Sequence, residues 1–335
     1  VMIFSQLSKF RVVVIGAALL LIAIFVISVA TGPVSLSPSQ IWRTILGQGT
    51  SKDELILYTF RFPRILITIL AGMGLALSGA ILQSVTRNPL ADPGILGINA
   101  GAGLMVVIYV MFFTIEPTSF LYILPLFALI GGLLTAAFIY LLSYRKGEGL
   151  EPTRLLIVGV GMAAVLYGIT LTLTTRFDRE QYLFIANWMA GRIWGDEWPF
   201  VLALLPWLIL FVPIVFAKAK VLNALNLHEN IAVGLGVNVA KEQRLLLIIA
   251  VALAAASVSV SGGIAFVGLM APHIAKALVG PRHQRFLPVS AMLGAALLLI
   301  ADTIGRALLG SSGIPAGIIV TIIGAPYFMY LMAKK

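Results

Sequence analysis

The chain contains no cysteine, which excludes disulfides, thiolate zinc sites and iron–sulfur clusters. Charge is scarce as well. Only 11 % of the 335 residues are charged, against roughly a quarter in a soluble domain. No G-x-x-x-x-G-K-[ST] pattern occurs and no lysine follows a glycine, so the loop that holds a nucleotide's phosphates is missing. Gly101 and Gly103 are followed by Val106, which breaks the G-x-G-x-x-G alternative. His228, His273 and His283 lack metal-ligand spacing and read as loop or capping residues. No acidic pair sits in the middle of an apolar run; Asp92 and Asp302 are the only carboxylates near such runs, each close to an end. A proton- or sodium-driven carrier, or an intramembrane enzyme, would need ionisable groups there. These absences leave no catalytic residue, no metal site and no internal energy source. Transport powered from outside the chain fits that profile.

What the chain has is apolar length. It is 60 % hydrophobic, with mean hydropathy +1.04. A bilayer-spanning helix needs roughly 20 mostly apolar residues. Ten stretches qualify: about 11–30, 62–84, 95–113, 121–143, 154–175, 198–217, 244–261, 264–279, 287–308 and 315–332. The expected fold is an all-α integral membrane protein, one transmembrane domain over 1–335, since no loop has room for a soluble catalytic domain. Val12–Ala30 lacks a small-residue cleavage site and reads as a retained helix rather than a signal peptide.

The net charge of +10 reads as the positive-inside bias rather than nucleic-acid binding. With both termini cytoplasmic, the inner loops and tails hold 15 of the 23 lysines and arginines, among them Arg87, Arg145, Lys218, Lys220, Arg282 and Arg285. Eight fall outside: Arg43, Lys52, Arg61, Arg64, Arg176, Arg179, Arg192 and Arg306. Arg61 and Arg64 flank Pro63, and Arg306 lies one turn after Asp302. Interfacial snorkelling and an i,i+4 pair would account for them.

Two segments resemble each other. In "SGAILQSVTRNPLA" (78–91) and "SGGIAFVGLMAPHI" (261–274), Ser, Gly, Ile and Pro recur at an offset of 183. The copies belong to the second and seventh spans, so an odd number of crossings separates them. That predicts inverted five-helix halves, about 11–175 and 198–333.

Three loops stand out. "RNPLADPGILGINAGAG" (87–103) reads as a cytoplasmic joint: Asn88 ends one span, Pro89 prevents its continuation, Asp92 caps the next and Pro93 opens it. Gly97 and Gly101 would let that next span pack closely. "VLNALNLHENIAVGLGVNVAK" (221–241) is a short apolar stretch between basic ends, read from composition as an interfacial loop helix, with Gly234 and Gly236 permitting a tight turn. "NWMAGRIWGDEW" (187–198) supplies Trp188, Trp194 and Trp198 to an aromatic belt.

The segments 61–103, "GGIAFVGLMAPHIAKALVG" (262–280) and "LLLIADTIGRALLG" with "GIPAGIIVTIIGAPYFMYLM" (297–332) resemble the FecCD family in order and spacing. These are permease subunits of bacterial type II ABC importers for ferric siderophores, haem and vitamin B12. The resemblance runs from about residue 35 to the C-terminus. It implies ten spans per subunit in the cytoplasmic membrane, a second permease chain (identical or paralogous), two ATPase subunits and an external binding protein or lipoprotein. ATP and magnesium would be bound by the partner ATPase, leaving no cofactor in this chain. The resemblance implies that Arg61, Arg64 and Arg306 receive acidic residues of the binding protein. It places Asn88, Leu90 and, on the next inner loop, Thr153 at a cytoplasmic gate. It makes 221–241 the ATPase-coupling segment, with Leu222, Leu225, Leu227, Glu229, Ala232 and Gly236 as coupling residues. Ferric siderophore is the favoured cargo as the family's commonest use, with haem or vitamin B12 the alternative. Two departures are local: His228 stands where the family usually has Gly before Glu229, and Arg192-Ile193 replace Ser-Leu after Gly191.

Overall fold

The computed structural model describes residues 2–32, 34, 36–94, 96–113, 117–145, 149–193, 197–227, 229–308 and 313–333, without the side chains of 2–7, 117–122, 145, 149, 150, 152 and 229. Trp194 and His228 therefore lie outside the described residues. Helix α1 (Met2–Ala30) is followed by the short α2 (Pro38–Ile45). A capping box opens α2: Gln40 N–H donates to Ser37 Oγ at 3.3 Å, and Ser37 N–H donates to Gln40 Oε1 at 2.8 Å. Helix α3 (Ser51–Glu54) continues through a π-helical segment, Leu55–Arg61, into α4 (Phe62–Val85). Pro63 explains the widened turn, because its ring crowds the preceding carbonyls and it has no N–H to donate.

Helices α5 (Ile98–Phe112) and α6 (Pro117–Ser143) follow, then a two-residue antiparallel pairing of β1 (Tyr144–Arg145) with β2 (Gly149–Leu150). Next come α7 (Pro152–Thr174), α8 (Arg179–Met189), α9 (Trp198–Ala217), α10 (Ala219–Leu225) and α11 (Glu229–Gly234). The chain ends with α12 (Val239–Ser261), α13 (Val267–Val279), α14 (His283–Leu308) and α15 (Ala316–Ala333).

Each of the ten expected spans coincides with a helix. Eight are long and apolar enough to cross a membrane among the described residues, and α5 and α13 are shorter apolar helices. At about 1.5 Å per residue, neither reaches across a ~30 Å hydrocarbon core alone. Both are entered through non-helical backbone, 88–94 with 96–97 before α5 and 262–266 before α13. Polar backbone at such depth is tolerated only where protein buries it. Here Ala91, Asp92, Gly97 and Ile264 are all buried.

Of the eight long helices, α4, α12 and α14 are the most enclosed. Small residues bring them together. Ser78 Oγ–H donates to Ala250 O at 2.6 Å, while Gly74 lies against Ser257, so α4 and α12 run antiparallel. The α4–α14 pair is antiparallel too, with Arg64 beside Asp302, Gly72 against Gly294 and Ser84 beside His283. Antiparallel α4 and α12 agree with the odd number of crossings read from the sequence. The residue register of the proposed repeat does not hold, however. Ser78–Gly79 lies inside α4, whereas Ser261 ends α12 and Gly262 follows it. Rather than occupying equivalent places, the two segments face each other: Gly79 approaches the backbone of Gly268, and Gln83 Nε2 donates to Gly268 O at 3.2 Å.

A side chain at Gly79 would collide with that backbone, which cannot swing away. We expect Gly79→Val to cost at least the ~1–3 kcal/mol of ordinary overpacking, read as a lowered thermal midpoint of the purified permease. Gly161→Ala, where nothing lies within 4 Å, is the matched control and should leave the midpoint near wild type or higher. Equal midpoints for the two variants would contradict the tight α4–α13 contact.

Candidate functional site

The polar chemistry collects at the two ends of the α4–α14 pair. At the outer end Asp302 is 1 % exposed and accepts from two arginines. Arg64 Nη2 lies 2.8 Å from Oδ1, and Arg306 Nε lies 2.9 Å from Oδ2. Arg306 also donates to Thr31 O at 2.7 Å and to Ser28 Oγ at 2.6 Å, both at the end of α1. Arg61 donates to the carbonyls of Val29 and Val34. The i,i+4 pair read from the sequence is present, but it is one part of a brace that fastens α1 to α4 and α14. Arg61 and Arg306 are directed inward, which corrects the picture of three guanidiniums waiting on an outer rim. The reason is local. Helix α1 ends beside them with carbonyls that no further turn satisfies, and arginine supplies donors in a planar fork. Arg64 and Arg306 around Asp302, with Arg61 beside Arg306, sum to +2 over these four residues (three minus one).

The inner end holds the joint. Helix α4 stops at Val85, and Arg87 takes a left-handed conformation, φ 51°. Its guanidinium donates to Leu225 O at 3.0 Å and Leu227 O at 2.8 Å, satisfying carbonyls at the end of α10. Asn88 Oδ1 accepts from Leu90 N–H at 2.9 Å, so Asn88 closes a turn rather than ending the helix. Asp92 does not cap α5. Its Oδ2 accepts from Gly94 N–H at 2.9 Å, and α5 begins five residues beyond Pro93, at Ile98. Gly97, φ 83°, is the cap instead; it sits against the backbone of Gly159 in α7, where only glycine fits both the conformation and the approach. Gly101 packs on Gly131 and Thr135 of α6 as expected of a small packing residue. Asn88 and Leu90 are half-buried, and Thr153 is exposed in the first turn of α7.

The segment 221–241 folds as two short helices with opposite environments on their faces. Leu222, Leu225 and Ala232 are buried against the bundle, so three of the expected coupling residues cannot meet a partner directly. An amphipathic helix lying on a protein surface must bury one face, and theirs is that face. The outer face instead carries Leu227, Ile231, Val233 and Leu235, between 43 % and 64 % exposed. Ile231 and Val233 are not distinguished from Ala232 by any sequence pattern; only their exposure beside buried Ala232 singles them out. The side chain of Glu229 lies outside the described residues. Gly236, φ 80°, ends α11 with Gly236 N–H donating to Val233 O and Val237 N–H to Ala232 O, a Schellman turn. Beside this ridge lies a cleft of about 600 Å³ lined by Lys220, Asn223, Leu227, Leu235, Arg282 and Arg285, among others.

One polar cluster was not anticipated. His283, read as a loop or capping residue, is fully buried at the start of α14. Its Nε2 lies 2.6 Å from Ser84 Oγ of α4, and its Nδ1 lies 2.7 Å from Asn223 Oδ1 of α10. These partners are 199 and 60 residues away in sequence, beyond any local pattern.

The model of the FecCD transport family matches residues 20–334. The iron(3+)-hydroxamate import system permease protein FhuG of Bacillus subtilis (strain 168) is 43 % identical over 334 residues, covering 98 % of this chain and 99 % of its own length. The iron-uptake system permease protein FeuC of the same organism is 38 % identical, with 94 % and 95 % covered. The hemin transport system permease protein HmuU of Yersinia pestis is 36 % identical, with 96 % and 95 % covered. A solved structure described as an inward-facing conformation of a metal-chelate type ABC transporter superposes with TM-score 0.84 at 31 % identity, covering 97 % of this chain and 100 % of that one. Matched along nearly its whole length by family, relatives and fold, the chain belongs to the FecCD transport family, the multi-pass permeases of ABC importers.

Proposed function

We propose that this permease carries a ferric siderophore, with iron-hydroxamate chelates the favoured cargo, across the cytoplasmic membrane by alternating access. The 43 % identity to an iron-hydroxamate permease, sustained from end to end, carries this reading. The similar length match to a hemin permease makes haem the alternative. Two separate ATPase subunits bind and hydrolyse ATP–magnesium and dock on the exposed ridge of Leu227, Ile231, Val233 and Leu235. A second permease chain, identical or paralogous, completes the translocation path. An external binding protein delivers the cargo to the outer end. There the net positive charge around Asp302 orients an acidic face and speeds encounter, more than it adds affinity. The halves 11–175 and 198–333 act as inverted repeats around the path. The joint at 86–97 forms part of the cytoplasmic gate, with Asn88, Leu90 and Thr153 at its rim.

The cargo is tested in cells lacking the chain and in cells with it restored, by uptake of radiolabelled ferric hydroxamate in competition with unlabelled haem. Restored uptake that haem does not compete away supports the hydroxamate reading; haem uptake alone would replace it. The gate is tested separately. Asn88→Ala removes the side chain that closes the turn, and Leu90→Ala opens the apolar wall beside it. Both should raise the ATP hydrolysed per cargo imported. Wild-type coupling in both variants would return 87–103 to a plain connection.

A further inference from the structure

Buried Ser84 and His283, with half-buried Asn223, join three elements that the transport reading gives different tasks. Helix α10 belongs to the ATPase-docking segment, α4 ends at the gate joint, and α14 runs back to the outer brace at Asp302. We propose that these three residues are positioning residues that clamp the docking segment to the gate-side end of α4. Displacement of α10 is thereby delivered to the joint at 86–97.

The hydrogen-bond logic is specific. The four backbone N–H groups that begin a helix need outside acceptors. Gly280, Pro281 and Arg282, just before α14, carry none of the short oxygen-bearing side chains that usually serve. Asn223, on another helix, serves instead: its Oδ1 accepts from His283 N–H at 3.0 Å and from the ring at Nδ1. The backbone N–H of His283 only donates and so fixes the amide orientation, which leaves Asn223 Nδ2 to donate to Gln284 Oε1 at 2.8 Å. An amide oxygen only accepts, so the ring proton is on Nδ1. In the neutral ring Nε2 then accepts from Ser84 Oγ–H. The Asn223 link has one direction, whereas the single Ser84 Oγ–H is shared between His283 Nε2 and Ala80 O, 2.8 Å away; removing either side chain leaves a buried imidazole nitrogen without its partner. Arg87 makes a second attachment between the same two elements, through Leu225 O and Leu227 O. The exposed ridge begins at Leu227, so a force applied there meets both attachments.

A merely structural role would predict loss of protein and nothing else. Coupling evidence is what separates the two. This inference rests on the proposed transport function. The experiment therefore uses the complete complex of permease, ATPase and binding protein in proteoliposomes, with ferric hydroxamate as cargo. It compares Asn223→Ala, Ser84→Ala and Asn223→Asp with wild type. Failure of the wild-type complex to import with ATP would overturn the transport reading itself. Given wild-type import, we expect both alanine variants to assemble and to hydrolyse ATP. The ATP consumed per imported cargo should rise at least about fivefold, the lower range of site-to-site coupling. Asn223→Asp keeps the accepting oxygen and should restore the wild-type ratio. An unchanged ratio in both alanine variants would overturn the clamp. So would loss of assembly in both, import and hydrolysis falling in parallel, or an aspartate variant as uncoupled as the alanine one.

Discussion

Asp302→Ala should remove most of the folded permease. Asp302 is enclosed by Arg64 and Arg306, and both guanidiniums pair with it. Removing one partner of a buried ion pair typically costs about 3–5 kcal/mol, because the remaining charge stays out of water without compensation. Here the loss also frees α1, since Arg306 holds Ser28 and Thr31 while its own orientation depends on Asp302. A domain's whole stability is on the order of 5–15 kcal/mol, so the variant should show a much lower thermal midpoint and poor yield. Asp302→Asn keeps an acceptor and should fall between. Adding Arg306→Ala to Asp302→Ala removes one of the stranded cations. The double variant should therefore be more stable than additivity of the single losses predicts. A wild-type midpoint for Asp302→Ala would show that the cluster is a solvated rim after all. The same geometry explains why reversing the charge of Arg61, Arg64 or Arg306 is a poor test of binding-protein docking: it would break the brace at the same time.

The second large effect is expected at the opposite end. Ile231→Asp combined with Val233→Asp places two carboxylates on the exposed ridge without touching the buried face of α11. The permease's thermal midpoint should stay close to wild type, because both side chains are more than half exposed in the isolated chain. Its affinity for the ATPase should fall by at least about 30-fold, corresponding to ~2 kcal/mol, the loss typical of an interface hot spot. Leu222→Ala or Leu225→Ala should show the reverse pattern. Those side chains are buried, so truncation costs about 2–5 kcal/mol of folding stability and affects the ATPase only indirectly. Titration of the ATPase against permease in nanodiscs measures the first quantity and thermal unfolding the second. Loss of affinity in the leucine variants with full stability would mean that the coupling residues were correctly named from the sequence.

The contrast between these two ends shows which information the sequence carries. Spans are legible because a bilayer demands about 20 apolar residues in a row, a one-dimensional signal. All ten are found where expected, and even the short α13 begins only three residues late, at Val267. The start of α5 was misplaced because Asp92-Pro93 has the local chemistry of a helix start. The turn that Asp92 closes with Gly94, and the left-handed Gly97, depend on the approach of α7. Side-chain direction was the harder matter. Whether Leu222 or Ile231 faces a partner depends on where α4 and α14 lie, and nothing in a 21-residue stretch specifies that. Arg64 and Asp302 are 238 residues apart, Ser84 and His283 199 apart. A single sequence offers no periodicity that links such pairs. The arginines were noticed because eight basic residues outside exceeded the charge bias, which marked them as special without saying to what they bind.

The central claim is that this chain is a passive path, powered by ATPases docked on the α10–α11 ridge. Its most direct test is cargo entry into proteoliposomes holding the purified complex, with ATP supplied on the α10–α11 side. Proton and sodium gradients are collapsed by ionophores. Import of ferric hydroxamate that continues without ion gradients, and stops when ATP is replaced by a non-hydrolysable analogue, is the predicted result. Import that persists without hydrolysis and ceases when the gradients collapse would contradict it and make the protein a secondary carrier.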